Sequence, residues 1–262
     1  MLTLRVISRL LAYPDESLKA GLADLADAVE QEGLLSGEAR AGVLRLIDAM
    51  AHTPLFDLQE SYVESFDRGR ALSLHLFEHV HGESRDRGQA MVDLLDLYRA
   101  HGLELDAREL PDYLPLMLEF LSTCDREQVD ALLGDAMGVI VLLGARLRER
   151  DSNYAALFDA LEQIAGTPDE AEALRTTATQ EGPDESITRM DEIWEEEQVT
   201  FLATRDPAGN GCDSGDGARG GVGLHRPTGV AAAHGRADGN AVGLDEVAAA
   251  LRSRVSAHRQ AE

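Results

Sequence analysis

Histidines gather at one place in the chain. His75, Glu78 and His79 stand in the order His-x-x-Glu-His, with His81 two residues further on. On a helix, side chains four apart share a face, so two imidazoles there can hold a zinc ion while the glutamate serves as general base, as in the inverted zinc-peptidase pattern. The pattern allows a zinc-dependent hydrolase on His75, Glu78 and His79, or a surface metal site. It equally allows a plain arrangement in which Leu72, Leu76, Phe77 and Val80 face a core and the polar residues form its rim. A hydrolase also needs a distant carboxylate ligand and a substrate cleft, and nothing in the sequence marks them. The chain has no GxSxG, no GxxxxGK[ST] and no GxGxxG between a strand and a helix, so serine hydrolysis and nucleotide binding lack an anchor. Cys124 and Cys212 lie 88 residues apart with no CxxC, which leaves structural zinc and iron-sulfur chemistry without ligands. Glu195, Glu196 and Glu197 read as a solvated charged face. The expectation is a protein that is not an enzyme and carries no cofactor.

A second set of chemical groups sits in GLELDARELPDYLPLMLEFLSTC, residues 102–124. Pro111 and Pro115 stiffen a short connection before an apolar helix. Glu109, Asp112 and Tyr113 are expected to project from that connection. Asp112 fits either a helix cap or a partner for a cationic ligand such as an arginine fork.

The elements that must position these groups read as helices nearly throughout the first 200 residues, because apolar residues recur at three and four and no sustained two-residue alternation appears. Helices are expected near 2–12, 17–32, 38–51, 55–66, 71–80, 85–101, 114–123, 126–150, 154–165, 169–180 and 186–198. Asp125 with Gln128, Thr53-Pro54, and Thr167-Pro168 with Glu170 supply start signals. The segment Arg126 to Arg150 is apolar all round, as a central buried helix should be. No repeat period is visible, so the predicted fold is all-α, a single irregular helical bundle.

Charge divides the chain. The 262 residues carry 24 Lys plus Arg against 48 Asp plus Glu, a formal −24, with 44% apolar residues. Up to Thr204 there are 41 acids and 17 bases, and from Arg205 onward seven of each. The acidic body opposes binding to nucleic acid or anionic lipid. Residues 205–243 hold 11 of the 24 glycines and read as a disordered Gly-rich linker. In 244–262, Leu244, Val247, Ala248, Leu251 and Val255 fall on one helical face, with Arg252, Arg254 and Arg259 near the end, so a short amphipathic C-terminal helix is predicted. The longest apolar run is Met137 to Ala145, and the first residues lack a secretory pattern. A cytoplasmic protein with reduced thiols and no stable membrane association is expected.

The segment YVESFDRGRALSLHLFEHVHGESRDRGQAMVDLLDLYRAHGLEL, 62–105, followed by ELPDYLPLMLEFLS, 109–122, resembles the delta-subunit (NarJ-type) family of respiratory nitrate reductase assembly chaperones. LLAYPDE, 10–16, and IWEEEQVTF, 193–201, resemble that family's two ends. The likeness spans about the first 200 residues and stops at the glycine-rich stretch. It implies a TorD-like all-α chaperone fold over 1–204. It further implies binding of the immature catalytic alpha subunit through its N-terminal segment, and assistance with molybdenum cofactor insertion before membrane docking. An E-x-P-D-x segment of related chaperones, tied to binding an arginine-containing peptide, falls on Glu109, Pro111 and Asp112, with Tyr113 where relatives often have histidine. A permanent structural subunit of a larger complex is the remaining alternative.

An amphipathic, arginine-bearing client would lay its apolar face in a helical groove and its cations on an acidic rim. The groove is expected between the 55–80 helices and the 109–121 segment. Tyr62, Phe66, Leu76 and Phe77 are the expected apolar contacts, and Asp67, Glu78, Glu109 and Asp112 the acidic ones.

Overall fold

A computed structural model describes residues 1–81, 85–105 and 109–182. The expected helix at 186–198, the linker 205–243 and the C-terminal helix 244–262 lie outside the described residues. Among those described, the fold is all-α, without a strand. Ten α-helices follow in order: α1 (Leu2–Leu11), α2 (Glu16–Glu32), α3 (Gly37–His52), α4 (Leu55–Tyr62), α5 (Leu76–His81), α6 (Asp86–Ala100), α7 (Leu114–Thr123), α8 (Arg126–Glu149), α9 (Ala155–Ala165) and α10 (Ala171–Gln180).

The hub is α8. Its length and apolar composition would suffice to cross a bilayer, but eleven of its residues, from Val129 to Leu147, are buried in the protein core. Asp125 starts it by accepting a hydrogen bond from Gln128 N at 2.9 Å, which satisfies one of the orphan donors of the first turn. Around α8 pack α9, α10, α5 and α7, while α1 lies against both α2 and α7, and α3 joins α2 to α9. Two glycines set the closest crossings. A Cβ on Gly144 would stand 2.8 Å from Phe158 Cβ, and one on Gly42 would stand 3.0 Å from Ala156 Cβ, so α9 meets α8 at a distance that requires glycine and meets α3 where any added Cβ would push Ala156 aside.

Polar staples close the ends. The lone lysine, Lys19, donates from α2 to the carbonyls of Met50, Ala51 and Thr53 at 2.7, 2.9 and 2.7 Å, placing a cation on the negative end of α3. Arg146 on α8 donates to Ala71 O at 2.7 Å and makes two hydrogen bonds to the Glu181 carboxylate, each at 2.6 Å.

Three local expectations differ. The 55–66 helix stops being α-helical at Tyr62 and widens into a π-turn, Val63–Asp67, closed by Arg68 N donating to Val63 O at 3.1 Å. The 71–80 helix is broken: a 3-10 turn (Arg70–Leu72) is followed by extended residues, and α5 starts only at Leu76. The break arises because Leu76 N donates to Asp112 O at 3.0 Å and Leu114 N to Leu74 O at 2.8 Å, an antiparallel bridge that competes with helical hydrogen bonds. Neither threonine caps the helix after it. Thr53 Oγ1 turns back to Ala49 O at 2.8 Å, and Thr167 Oγ1 to Glu162 Oε2 at 3.5 Å, so α4 and α10 begin at Leu55 and Ala171.

Candidate functional site

The loop before α7 is the point where distant segments converge. Its backbone is bolted by the bridge to residues 74–76, and by Tyr98 Oη donating to Pro111 O at 2.9 Å from within α6. Pro115 at the first turn of α7 costs no hydrogen bond, since that amide has no helical partner anyway. Tyr62 Oη donates to Leu11 O at 3.0 Å, which leaves its lone pair to accept the Tyr113 hydroxyl at 2.9 Å. One chain of hydroxyls thus ties α1, α4 and the loop. Burial raises both phenols above the ordinary tyrosine value, Tyr62 far above it, so they serve as neutral hydrogen-bonding groups.

Asp112 turns inward. It is 0% exposed, and its carboxylate accepts Phe77 N at 3.1 Å and lies 3.3 Å from His75 Nδ1. Arg87 of α6 comes within 3.8 Å of Asp112 and 3.3 Å of Glu78. The cationic groups facing Asp112 therefore come from inside the chain, His75 and Arg87. The Asp112 hydrogen bond raises the His75 pKa above its ordinary value against the opposing effect of burial, and the imidazole stacks on Tyr113 with ring centres 5.4 Å apart. Partial burial raises the Asp67 pKa, and the nearby His75 charge only partly opposes the shift.

The His-x-x-Glu-His pattern does not form a shared helical face. His75 precedes α5 in the bridge and points to Asp112, whereas His79 donates through Nε2 to Ser73 O at 2.8 Å. Among the described residues no three His, Cys, Asp or Glu side chains stand together as metal ligands.

Of the expected client contacts, Tyr62, Phe66, Leu76, Phe77 and Pro111 are buried with Asp112. Asp67 and Glu109 are exposed, and Glu78 is partly so. Tyr62 and Phe66 belong to an aromatic cluster with Tyr13 and Tyr154, at centroid distances of 5.0–6.4 Å. An open concave surface lies beside Glu109 and Tyr113 of the loop. A groove of about 650 Å³ follows α1 between α2 and α7, with Leu2, Val6, Tyr13, Leu25 and Leu116 as its apolar lining, and Glu109, Tyr113, Glu119, Arg5 and Arg9 at its edges. Leu2 and Tyr13 remain 55% and 47% exposed there.

A family model described as nitrate reductase delta subunit matches residues 15–160. The nitrate reductase molybdenum cofactor assembly chaperone NarJ of Escherichia coli K12 is 46% identical over 206 residues, 78% of this chain and 87% of the relative. The chain belongs to the nitrate reductase delta subunit family. Two further members extend the range. The probable assembly chaperone NarW of Escherichia coli K12 is 43% identical over 82% of this chain and 88% of its own length. The probable assembly chaperone NarJ of Bacillus subtilis is 32% identical over 61% and 86%. The family span includes the whole loop, the bridge and the Asp112 cluster.

Sequence reasoning passed over Arg87, Tyr98 and the α1 groove. Arg87 lies in a polar run, Glu-Ser-Arg-Asp-Arg-Gly-Gln, in which no position stands out. Tyr98 follows the ordinary apolar period of its helix. The only trace of the groove is Leu2 and Tyr13, apolar residues at the two ends of α1 that its buried stripe does not use.

Proposed function

We propose that this protein is a cytoplasmic, non-catalytic assembly chaperone. It binds the immature catalytic (alpha) subunit of respiratory nitrate reductase through that subunit's N-terminal segment, and it assists molybdenum cofactor insertion before membrane docking. The names of its relatives support the role. The single observation that carries the binding mode is an open apolar groove bordered by a rigid loop, on a body whose first 204 residues hold the entire −24 charge. An amphipathic client helix would seat its apolar face over α1, and the acidic body would steer its arginines.

In this reading the two groups of expected contacts divide their work. Asp67, Glu78 and Glu109 meet the client's cations at the loop's edge. Tyr62, Phe66, Leu76, Phe77, Pro111 and Asp112 hold that edge in shape from inside. Reversible binding is all the role requires, and salt-sensitive contacts allow release.

Pull-down from cells blocked in molybdenum cofactor synthesis tests the role: the alpha subunit should be recovered without cofactor. Recovery only with mature, membrane-bound reductase would instead make the protein a permanent subunit. Isothermal titration of the alpha-subunit N-terminal peptide tests the site. Replacing both Glu109 and Glu119 by alanine should weaken binding by roughly two- to fivefold, as surface charge pairs do, without altering stability. Affinity unchanged between roughly 0.05 and 0.5 M salt would remove the electrostatic part.

A further inference from the structure

The α1 groove has a measurable length and polarity. Ser8 Oγ donates to Pro115 O, and the Met1 ammonium to Ser122 O, both at 2.6 Å, so α1 and α7 run antiparallel. Glu119 therefore sits at the Leu2 end with Arg5, and Glu109 sits at the Tyr13 end. Neither glutamate forms an ion pair among the described residues, whereas Arg9 is already paired with Asp15. The ten residues of α1 give a trough about 15 Å long.

The chain itself contains a segment cut to that pattern. In 244–260, Val247, Leu251 and Val255 recur at four-residue steps, a stripe about 12 Å long if helical. Asp245 and Glu246 precede the stripe, while Arg252, Arg254 and Arg259 follow or flank it, and 247–261 contain no acid. Laid along α1, the acidic start would lie at the Leu2 end, where Arg5 and Glu119 offset each other, and the arginines would reach the unpaired Glu109 about 12 Å away. Connection length is no obstacle. The 61 residues 183–243 reach about 45 Å even at random-coil dimensions, against a body about 40 Å across.

We infer that residues 244–260 occupy the α1 groove in the absence of client, so that the protein carries its own competitor for the site. The inference deepens the client-binding proposal by adding regulation to the same groove. A tether of this kind supplies an effective concentration of about 1 mM. A segment that binds in trans with a dissociation constant of roughly 0.1–0.3 mM would then weaken client binding by roughly four- to tenfold. Such a brake would keep weak, non-cognate peptides out while a matched client displaces it.

Two measurements on the full chain test this. With a photo-crosslinking amino acid at Leu251, cross-links should fall within one chain on α1, α2 or α7 residues lining the groove. Cross-links to another face, between chains, or to no body residue would overturn the inference. In the second, the alpha-subunit N-terminal peptide is titrated into wild type and into a Leu251→Asp, Val255→Asp variant. The variant should bind roughly four- to tenfold more tightly, and a synthetic 244–260 peptide added in trans should reverse the gain. Equal, measurable affinity in both proteins would refute the tail's role and leave the client proposal standing. If the peptide binds neither protein, the client proposal fails while the cross-link still decides where the tail sits.

Discussion

Replacing Asp112 by alanine separates a carboxylate that touches a ligand from one that holds a loop. The side chain is 0% exposed and is the acceptor for Phe77 N at 3.1 Å. Removing it leaves a buried backbone N–H unsatisfied, which costs about 1–3 kcal/mol. It also strips His75 and Arg87 of an anion. Those two side chains keep 27% and 22% of their surface in water, so this loss falls below the 3–5 kcal/mol typical of a fully buried broken pair. The sum is a destabilisation of about 2–4 kcal/mol, which in a domain of this size lowers Tm by about 4–16 °C. Asp112→Asn, which retains an acceptor for Phe77 N, should fall between wild type and alanine. Thermal and urea denaturation read the effect, and peptide titration below the melting range reads binding. If Asp112→Ala melted within about 1 °C of wild type while client affinity collapsed, the carboxylate would be a contact residue and the reasoning wrong.

The His75–Asp112 pair also makes stability depend on pH. Because the folded His75 pKa is raised above 6.5, its contribution is fully present below that value and is lost as pH rises through the folded pKa. The urea midpoint should therefore drop from about pH 6 to about pH 9, and the drop should flatten in His75→Gln. Gly144→Ala should cost about 1–2 kcal/mol net, since overpacking at Phe158 exceeds the gain in helix propensity. Gly134→Ala, on the same helix but with nothing within 4 Å of the new Cβ, should add about 0.5–1 kcal/mol by urea denaturation. Lys19→Met removes the cation from three carbonyls at the end of α3 and should cost about 1–2 kcal/mol, measured the same way.

The helices were legible wherever one periodicity ruled. The all-round apolar character of α8 marks it as central, and the Asp125 start is read correctly because a cap depends only on residues within one turn. What escaped depends on contacts between distant segments. Nothing in residues 71–80 reports that Leu74 and Leu76 will be claimed by a loop some 37 residues later, so the break before α5 is silent in the local pattern. The same bridge disperses the His75, Glu78, His79 spacing, which presumed one continuous helix. Thr167 had a complete capping signature and was drawn instead to Glu162, a buried acid that needed donors and also pairs with Arg175 at 2.6 Å. At the candidate site, the spacing of Pro111 and Pro115 marks a stiff connection but not the direction of its side chains. A charged residue between two prolines reads as exposed until an interior arginine is known to wait for it.

The hydroxyl chain from Tyr113 through Tyr62 to Leu11 O has a kinetic consequence. Residues 109–114 belong to a connecting segment, the class of backbone that ordinarily exchanges its amide hydrogens fastest. Here the Leu114 amide is bonded to Leu74 O, while the neighbouring Pro111 and Asp112 carbonyls are held by Tyr98 and Leu76. Releasing the Leu114 amide means parting α5, α6 and the end of α1 together. The segment that looks most like a surface loop should thus exchange as slowly as the core, in one cooperative opening with Leu76, rather than by fraying.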